Sequence, residues 1–108
     1  MARLLVWSGL CRFWYIPRDG YRLRFYPSSV SMALWEYPEG WRQDSKVLRQ
    51  LLRPGDVYID VGANIGHLAL EAAQCVGEAG QVYAFEAHPT IAQYLRENVQ
   101  LNRFSNVR

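Results

Sequence analysis

The chain has 108 residues, enough for one small domain, with half of them hydrophobic and a fifth charged. This is the composition of a folded globular domain, and it excludes an intrinsically disordered chain. The net charge of +2 is too small to indicate a nucleic-acid partner, so none is expected. A group of arginines near the start is read as a solvated surface, with a patch for an acidic ligand as the alternative: Arg3, Arg12, Arg18, Arg22 and Arg24.

The first 17 residues are largely apolar, and we predict that they form neither a targeting segment nor a membrane span. Arg12 interrupts the run, which has no small-residue cleavage site and is too short to span a bilayer. An interfacial anchor is the alternative interpretation. The two cysteines, Cys11 and Cys75, form no C-x-x-C pair, so we predict neither a metal site nor a disulfide framework. A cytoplasmic location fits this cysteine usage best.

Residues 21–37 are predicted to form an aromatic-rich β-hairpin. The stretch YRLRFYP alternates with a period of two, PSS interrupts it, and VSMALWEY is interpreted as the return strand. PEG at 38–40 is interpreted as a turn. Such a hairpin usually belongs to the local core, and a surface that faces a substrate is the alternative. We therefore predict that residues 1–41 form an N-terminal extension.

Residues 42–108 are predicted to alternate between helices and strands. A helix from Asp44 places Val47, Leu48, Leu51 and Leu52 on one face, and Pro54-Gly55 ends it. The predicted elements that follow are the strand DVYIDV, the helix NIGHLALEAAQCV, the strand QVYAFE, the helix HPTIAQYLRENVQLN and the start of a strand at NVR. This order predicts an α/β fold with parallel strands and right-handed crossovers, in which ligands bind beyond the carboxyl ends of the strands.

A glycine turn, D-V-G-A-N-I-G, follows the first of these strands. Asp60 ends the strand, Gly62 offers backbone without a Cβ to a ligand, and Gly66 lets the helix pack closely. Asn64 occupies the place where many nucleotide-binding loops have a further glycine, and asparagine tolerates a positive φ best among the other residues. An ordinary strand-to-helix turn with an aspartate cap is the plainer alternative.

Glu86 ends the second strand, 20 residues beyond Gly66. This is the distance at which dinucleotide folds place the carboxylate that binds ribose hydroxyls, so an adenosine-containing ligand is predicted. The Asn64 side chain would obstruct a pyrophosphate, and no P-loop lysine follows the turn. S-adenosylmethionine therefore fits better than NAD. His67 and His88 lack metal-ligand spacing and are predicted to be surface or capping residues.

The stretch from PGDVYIDVGANIGHLAL to VYAFEAHPTIAQYLRENVQLN resembles the start of an FkbM-type methyltransferase, within the class I S-adenosylmethionine-dependent enzymes. The likeness spans residues 53–107, although Ala87 stands where that family often has proline. The resemblance implies a Rossmann-like class I methyltransferase fold with S-adenosylmethionine as cofactor. It implies cofactor-binding roles for six residues: Asp60, Gly62, Ala63, Asn64, Gly66 and Glu86.

The family's sheet has about seven strands, and this chain ends where the third begins. The resemblance therefore implies a truncated fold, the cofactor-binding half of an enzyme that transfers a methyl group to oxygen of a small-molecule or carbohydrate-like acceptor. It assigns no catalytic residue within this chain. A non-catalytic or truncated nucleotide-binding remnant is the alternative, and an NAD-dependent oxidoreductase is a third possibility that Asn64 argues against.

Overall fold

A short antiparallel hairpin and two helices precede a parallel α/β unit. The computed structural model describes Leu4, Val6 and residues 8–108, so Arg3 of the basic group lies outside the described residues. No helix in that part of the chain is long and apolar enough to cross a membrane. The elements are a 3-10 helix (Leu10–Phe13), β1 (Tyr15–Pro17), β2 (Arg22–Arg24), α1 (Ser29–Glu36), α2 (Pro38–Leu51), β3 (Val57–Val61), α3 (His67–Val76), β4 (Gln81–Phe85) and α4 (Pro89–Asn102).

The hairpin lies earlier in the chain than predicted. It is formed by β1 and β2, with Ile16 opposite Leu23. The predicted return strand is instead α1, because the Ser28 hydroxyl caps the helix by accepting a hydrogen bond from the Ser31 amide at 3.1 Å. The predicted turn at 38–40 is the first turn of α2, where Pro38 is tolerated because the first helical amides need no intrahelical partner.

The second half of the chain has the predicted order. β3 and β4 pair in parallel, from Val57 opposite Gln81 to Val61 opposite Phe85. Val107 forms a parallel bridge with Val82, so the start of the third strand lies beside β4. The α/β prediction with parallel strands is confirmed, whereas the division of the chain after residue 41 stays a prediction.

Helix α3 is buried on two sides, which explains its almost wholly apolar sequence. Small residues such as Ala69 and Ala73 pack with Val82 of the sheet. On another side, Leu70 packs with Leu23 and other residues of the N-terminal core. The N-terminal segment is therefore part of the same packed body as the glycine turn.

Two asparagines on α4 join the hairpin to the α/β unit. The Asn98 side chain accepts a hydrogen bond from the Arg24 amide at 2.8 Å and donates one to the Ile65 carbonyl at 2.8 Å. One turn later, Asn102 exchanges two hydrogen bonds with the backbone of Arg22, at 2.9 and 2.7 Å. These side chains satisfy backbone groups of β2 that would otherwise lack partners.

Candidate functional site

The carboxyl ends of β3 and β4 bring the glycine turn and Glu86 together. The Gly62 amide donates a hydrogen bond to the Phe85 carbonyl at 2.8 Å. One oxygen of Glu86 accepts from the Asn64 amide at 3.0 Å, and the other accepts from the His88 amide at 2.9 Å. The turn and the acidic residue therefore form one hydrogen-bonded unit.

Three residues of the turn have left-handed backbone conformations. Gly62 has φ 80°, and a Cβ placed there would meet no atom within 4 Å, so the space beside it is open. Asn64 has φ 52°, as its residue type predicted, and its side chain accepts a hydrogen bond from the Ile65 amide. At Gly66, with φ 97°, a Cβ would lie 2.7 Å from the Leu95 side chain. Gly66 thus permits close packing against α4, whereas Gly62 borders open space.

A cavity of about 210 Å³ adjoins the turn. Four of the predicted site residues line it: Asp60, Gly62, Ala63 and Asn64. The other four lining residues were not predicted from the sequence: Val30, Trp41, His67 and Leu68. Two of these come from α1 and α2, so the N-terminal segment supplies a wall of the site.

Asp60 points a buried acceptor at this cavity. Its side chain is 9% exposed, and Oδ2 has no hydrogen-bond partner in the described part of the chain. Burial raises the pKa of this carboxyl. A buried carboxylate oxygen without a partner is costly, and a ligand with an N–H donor would satisfy it. The open space at Gly62 and the acceptor at Asp60 together fit the aminoacyl end of S-adenosylmethionine.

His67 is buried, so its assignment as a surface or capping residue is wrong. It is 3% exposed, and its Nδ1 lies 2.8 Å from the Tyr21 hydroxyl, which also donates to the His67 carbonyl at 3.1 Å. Burial and the charge of Arg18 lower the pKa of His67 to about 4, and the Trp41 backbone opposes them more weakly. The ring is therefore neutral near pH 7. Only its position directly after Gly66 hinted at a place in the site.

His88 is exposed at the start of α4, and within the described residues no three histidine, cysteine, aspartate or glutamate side chains come together closely enough to hold a metal ion.

Glu86 lines a second cavity, of about 320 Å³, between β4 and α4. The backbone amides of His88 and Asn64 lower the pKa of its carboxyl, so it is ionised and able to accept hydrogen bonds. Each carboxylate oxygen accepts more than one hydrogen bond, which leaves capacity for ribose hydroxyls. The predicted residues therefore lie in two cavities joined by the Asn64–Glu86 contact, with Gly66 beneath them. Their cofactor-binding roles stay a prediction.

Comparison with known proteins identifies the family. A model of the TRM5/TYW2 methyltransferase domain matches residues 19–108. The chain belongs to the TRM5/TYW2 methyltransferase family. It is 31% identical to the tRNA(Phe) (4-demethylwyosine(37)-C(7)) aminocarboxypropyltransferase of Methanocaldococcus jannaschii over 78 residues, which are 72% of this chain and 30% of that protein.

Two further relatives agree with this assignment. The tRNA (guanine(37)-N(1))-methyltransferase of Leishmania braziliensis is 42% identical over 52 residues, 48% of this chain and 7% of that protein. The crystal structure of M. jannaschii TYW2 in complex with AdoMet superposes with a TM-score of 0.59 at 27% identity, covering 82% of this chain and 36% of that one. The chain thus spans less than a third of the length of these curated relatives.

The TRM5/TYW2 match confirms the class I methyltransferase fold and the prediction of S-adenosylmethionine as cofactor. It does not support the narrower assignment to the FkbM type.

The expectation of a small-molecule acceptor and no nucleic-acid partner is wrong. The chain belongs to a family whose matched relatives are named as enzymes that act on tRNA. The net charge of +2 misled because it is an average over the chain, whereas binding to a nucleic acid depends on where the basic groups lie.

Proposed function

We propose that the protein is an S-adenosylmethionine-dependent methyltransferase that modifies a base of tRNA. One structural observation carries the cofactor part of this proposal. Asp60, which has a buried and unpartnered carboxylate oxygen, lines one cavity with Gly62, and Glu86 is hydrogen-bonded to the same turn. The tRNA part is supported by membership of the TRM5/TYW2 family.

Each group of this site has a definite task in the proposed reaction. S-adenosylmethionine supplies an electrophilic methyl group when it is bound. Glu86 would accept hydrogen bonds from the ribose hydroxyls, and Asp60 would accept one from the aminoacyl ammonium. Trp41 forms part of one wall of the cavity. The chain thus contributes mainly by positioning, because in-line transfer depends on the geometry of donor and acceptor.

Transfer of the aminocarboxypropyl group is a second candidate. The observation in its favour is the match over 72% of the chain to a relative that is named for this transfer. In both reactions a base atom would attack a carbon bonded to the sulfonium sulfur. The bond between that carbon and sulfur would break, which leaves a neutral thioether. Methyl transfer leaves S-adenosylhomocysteine, whereas aminocarboxypropyl transfer leaves methylthioadenosine.

The two reactions can be separated with labelled cofactor. The full-length protein is incubated with tRNA and with S-adenosylmethionine labelled either in the methyl carbon or in the carboxyl carbon. We expect the methyl label to enter tRNA and S-adenosylhomocysteine to accumulate. Entry of the carboxyl label would instead support the second candidate. Absence of both labels from tRNA, while the protein still binds S-adenosylmethionine, would contradict the tRNA proposal.

Gly62→Val provides the matched inactive variant. Valine at φ 80° is strained, and its branched side chain would occupy the open space of the site. We expect the variant to lose binding of S-adenosylhomocysteine in calorimetric titration and to lose label transfer, while keeping the wild-type far-ultraviolet circular dichroism. Normal binding by a folded Gly62→Val protein would contradict the cofactor assignment.

A further inference from the structure

A cavity of about 420 Å³ lies between the hairpin loop, α2 and α3. Helix α2 contributes to two cavities. Arg42 lines this larger cavity, and the preceding residue, Trp41, lines the cavity at the glycine turn, which we call the cofactor cavity. The charged residues of the larger cavity are four cations and two carboxylates: Arg18, Asp19, Arg42, Lys46, Arg49 and Glu71.

Arg49 is engaged in holding the fold together. Its Nε lies 2.5 Å from Oε1 of Glu71, whose side chain is 2% exposed. Its Nη1 lies 3.1 Å from the Asp19 carboxylate, and its Nη2 donates to the Asp19 carbonyl at 3.2 Å. Arg49 thus neutralises a buried carboxylate and fixes the hairpin loop on α2 and α3, and it has little capacity left for a ligand.

Within the described residues, the other three cations form no ion pair with a buried carboxylate. Arg18 is half-buried and Lys46 is exposed, and neither forms an ion pair with a carboxylate within the described residues. Arg42 pairs with Glu39 at 3.0 Å, but both side chains are well exposed, and exposed pairs contribute little. We call these three residues, Arg18, Arg42 and Lys46, the basic cluster.

Arg18 lies close enough to the cavity at the glycine turn for its charge to act on a residue that lines it. Its charge lowers the pKa of His67, which lines that cavity, and it acts in the same direction on Tyr21, the hydrogen-bond partner of His67. Arg18 and Arg42 line the larger cavity, and Trp41, adjacent to Arg42 in the chain, lines the cavity at the glycine turn with His67, so the two cavities share helix α2.

We infer that the basic cluster binds a phosphate group of the RNA backbone and so positions the nucleic acid beside the cofactor cavity. This inference rests on the proposed function. Arginine forks match the oxygens of a phosphate, and lysine adds a point charge. Three cations around one concave space suit a phosphate better than a carboxylate, because the phosphate offers more acceptor oxygens to share among them. A free phosphate or a nucleotide has the same chemistry, so the experiment must separate these sources from RNA.

The test measures binding of fluorescently labelled tRNA to the full-length protein over a range of salt concentrations. We expect Arg18→Ala and Lys46→Ala each to weaken tRNA binding about tenfold and to reduce the slope of log Kd against log salt by about 1. Affinity for S-adenosylhomocysteine in calorimetric titration should stay unchanged. Arg53→Ala is the matched control, because it removes the same charge from an exposed position outside the cavity. Arg49 is left intact because its loss would leave Glu71 buried without a partner.

The outcomes distinguish this inference from the proposed function. If wild type binds and modifies tRNA but the basic-cluster variants behave like Arg53→Ala, the cluster is not a phosphate site and the proposed function stands. If wild type does not bind tRNA but binds inorganic pyrophosphate in a manner that depends on Arg18 and Lys46, the ligand is a free anion and the RNA inference is wrong. If neither tRNA nor inorganic pyrophosphate binds, the basic cluster is a solvated surface, which also overturns the inference.

Discussion

Glu86 both holds the glycine turn and presents an acceptor to the ligand. Its oxygens accept hydrogen bonds from the Asn64 and His88 amides. Loss of hydrogen bonds from ribose to this charged acceptor costs about 1.5–3 kcal/mol, so Glu86→Ala should weaken S-adenosylhomocysteine binding about 10- to 100-fold. Calorimetric titration of the full-length protein checks this. Glu78→Ala, at an exposed position in another turn, should bind normally.

The ribose assignment depends on the variant being folded. Glu86→Gln keeps one carbonyl acceptor and the side-chain shape, so its affinity should lie between those of wild type and Glu86→Ala. Wild-type affinity in a folded Glu86→Ala protein would show that ribose binds elsewhere.

His67 makes stability depend on pH in a window that can be stated. Its folded-state pKa of about 4 lies below the ordinary value of 6.5. Between these two pH values the unfolded chain therefore binds a proton at His67 that the folded chain does not bind. The contribution of the neutral His67 ring to the free energy of unfolding is therefore complete above pH 6.5, and it is lost as the pH falls towards 4. The full effect is at most about 3 kcal/mol, given 1.36 kcal/mol for each pKa unit.

Denaturant unfolding at several pH values tests this prediction. His67→Gln should flatten the loss of stability between pH 6.5 and 4 relative to wild type, whereas His88→Gln, at an exposed position, should keep it. Comparison with wild type at each pH removes the contribution of the carboxyl groups. Parallel pH profiles for wild type and His67→Gln would contradict the burial of a neutral imidazole.

At the scale of elements, Asn98 is the main polar link between the hairpin and the α/β unit. It is fully buried. Its side-chain amide accepts a hydrogen bond from the Arg24 backbone amide and donates one to the Ile65 carbonyl. Asn98→Ala would leave both backbone groups buried without partners, at about 1–3 kcal/mol for each. We expect the free energy of unfolding to fall by roughly 2–5 kcal/mol. Chemical denaturation measures it.

The exposed Gln93 on the same helix gives the control for Asn98. Gln93→Ala removes only a contact to Glu97 on the surface, so its effect should be within about 0.5 kcal/mol of wild type. A change in Asn98→Ala no larger than that of Gln93→Ala would show that the Asn98 hydrogen bonds do not stabilise the attachment of the hairpin.

The accuracy of the sequence predictions differed between the two halves of the chain for a physical reason. From β3 onwards each element has a clear period and a turn that bounds it, so local patterns were sufficient. In the segment that forms α1, Val30 and Trp35 favour a strand, but the Ser28 cap favours a helix, which is the conformation observed. Val30 and Trp41 reach the site only through tertiary packing, which no local pattern records.

At the scale of the whole molecule, the chain exposes one apolar face of its parallel sheet. Alternate residues of the two strands point to this face, and all are at least 41% exposed: Val57, Ile59, Val61, Tyr83 and Phe85. β3 pairs with β4 on one side, and its other edge has no strand partner within the described residues. Contiguous apolar surface beside an open strand edge is the arrangement that promotes association between chains.

We therefore expect residues 1–108, expressed alone, to self-associate. Sedimentation velocity at increasing concentration should show species larger than the monomer. Val61→Lys combined with Phe85→Lys should shift the distribution towards monomer, because both side chains are exposed and a charge on this face opposes association. Gln93→Lys adds a charge on an exposed position of α4 and should leave association unchanged. If the wild-type chain stays monomeric at high concentration, exposure of this sheet face does not cause self-association. If association persists unchanged in the double variant, the chains associate through another surface.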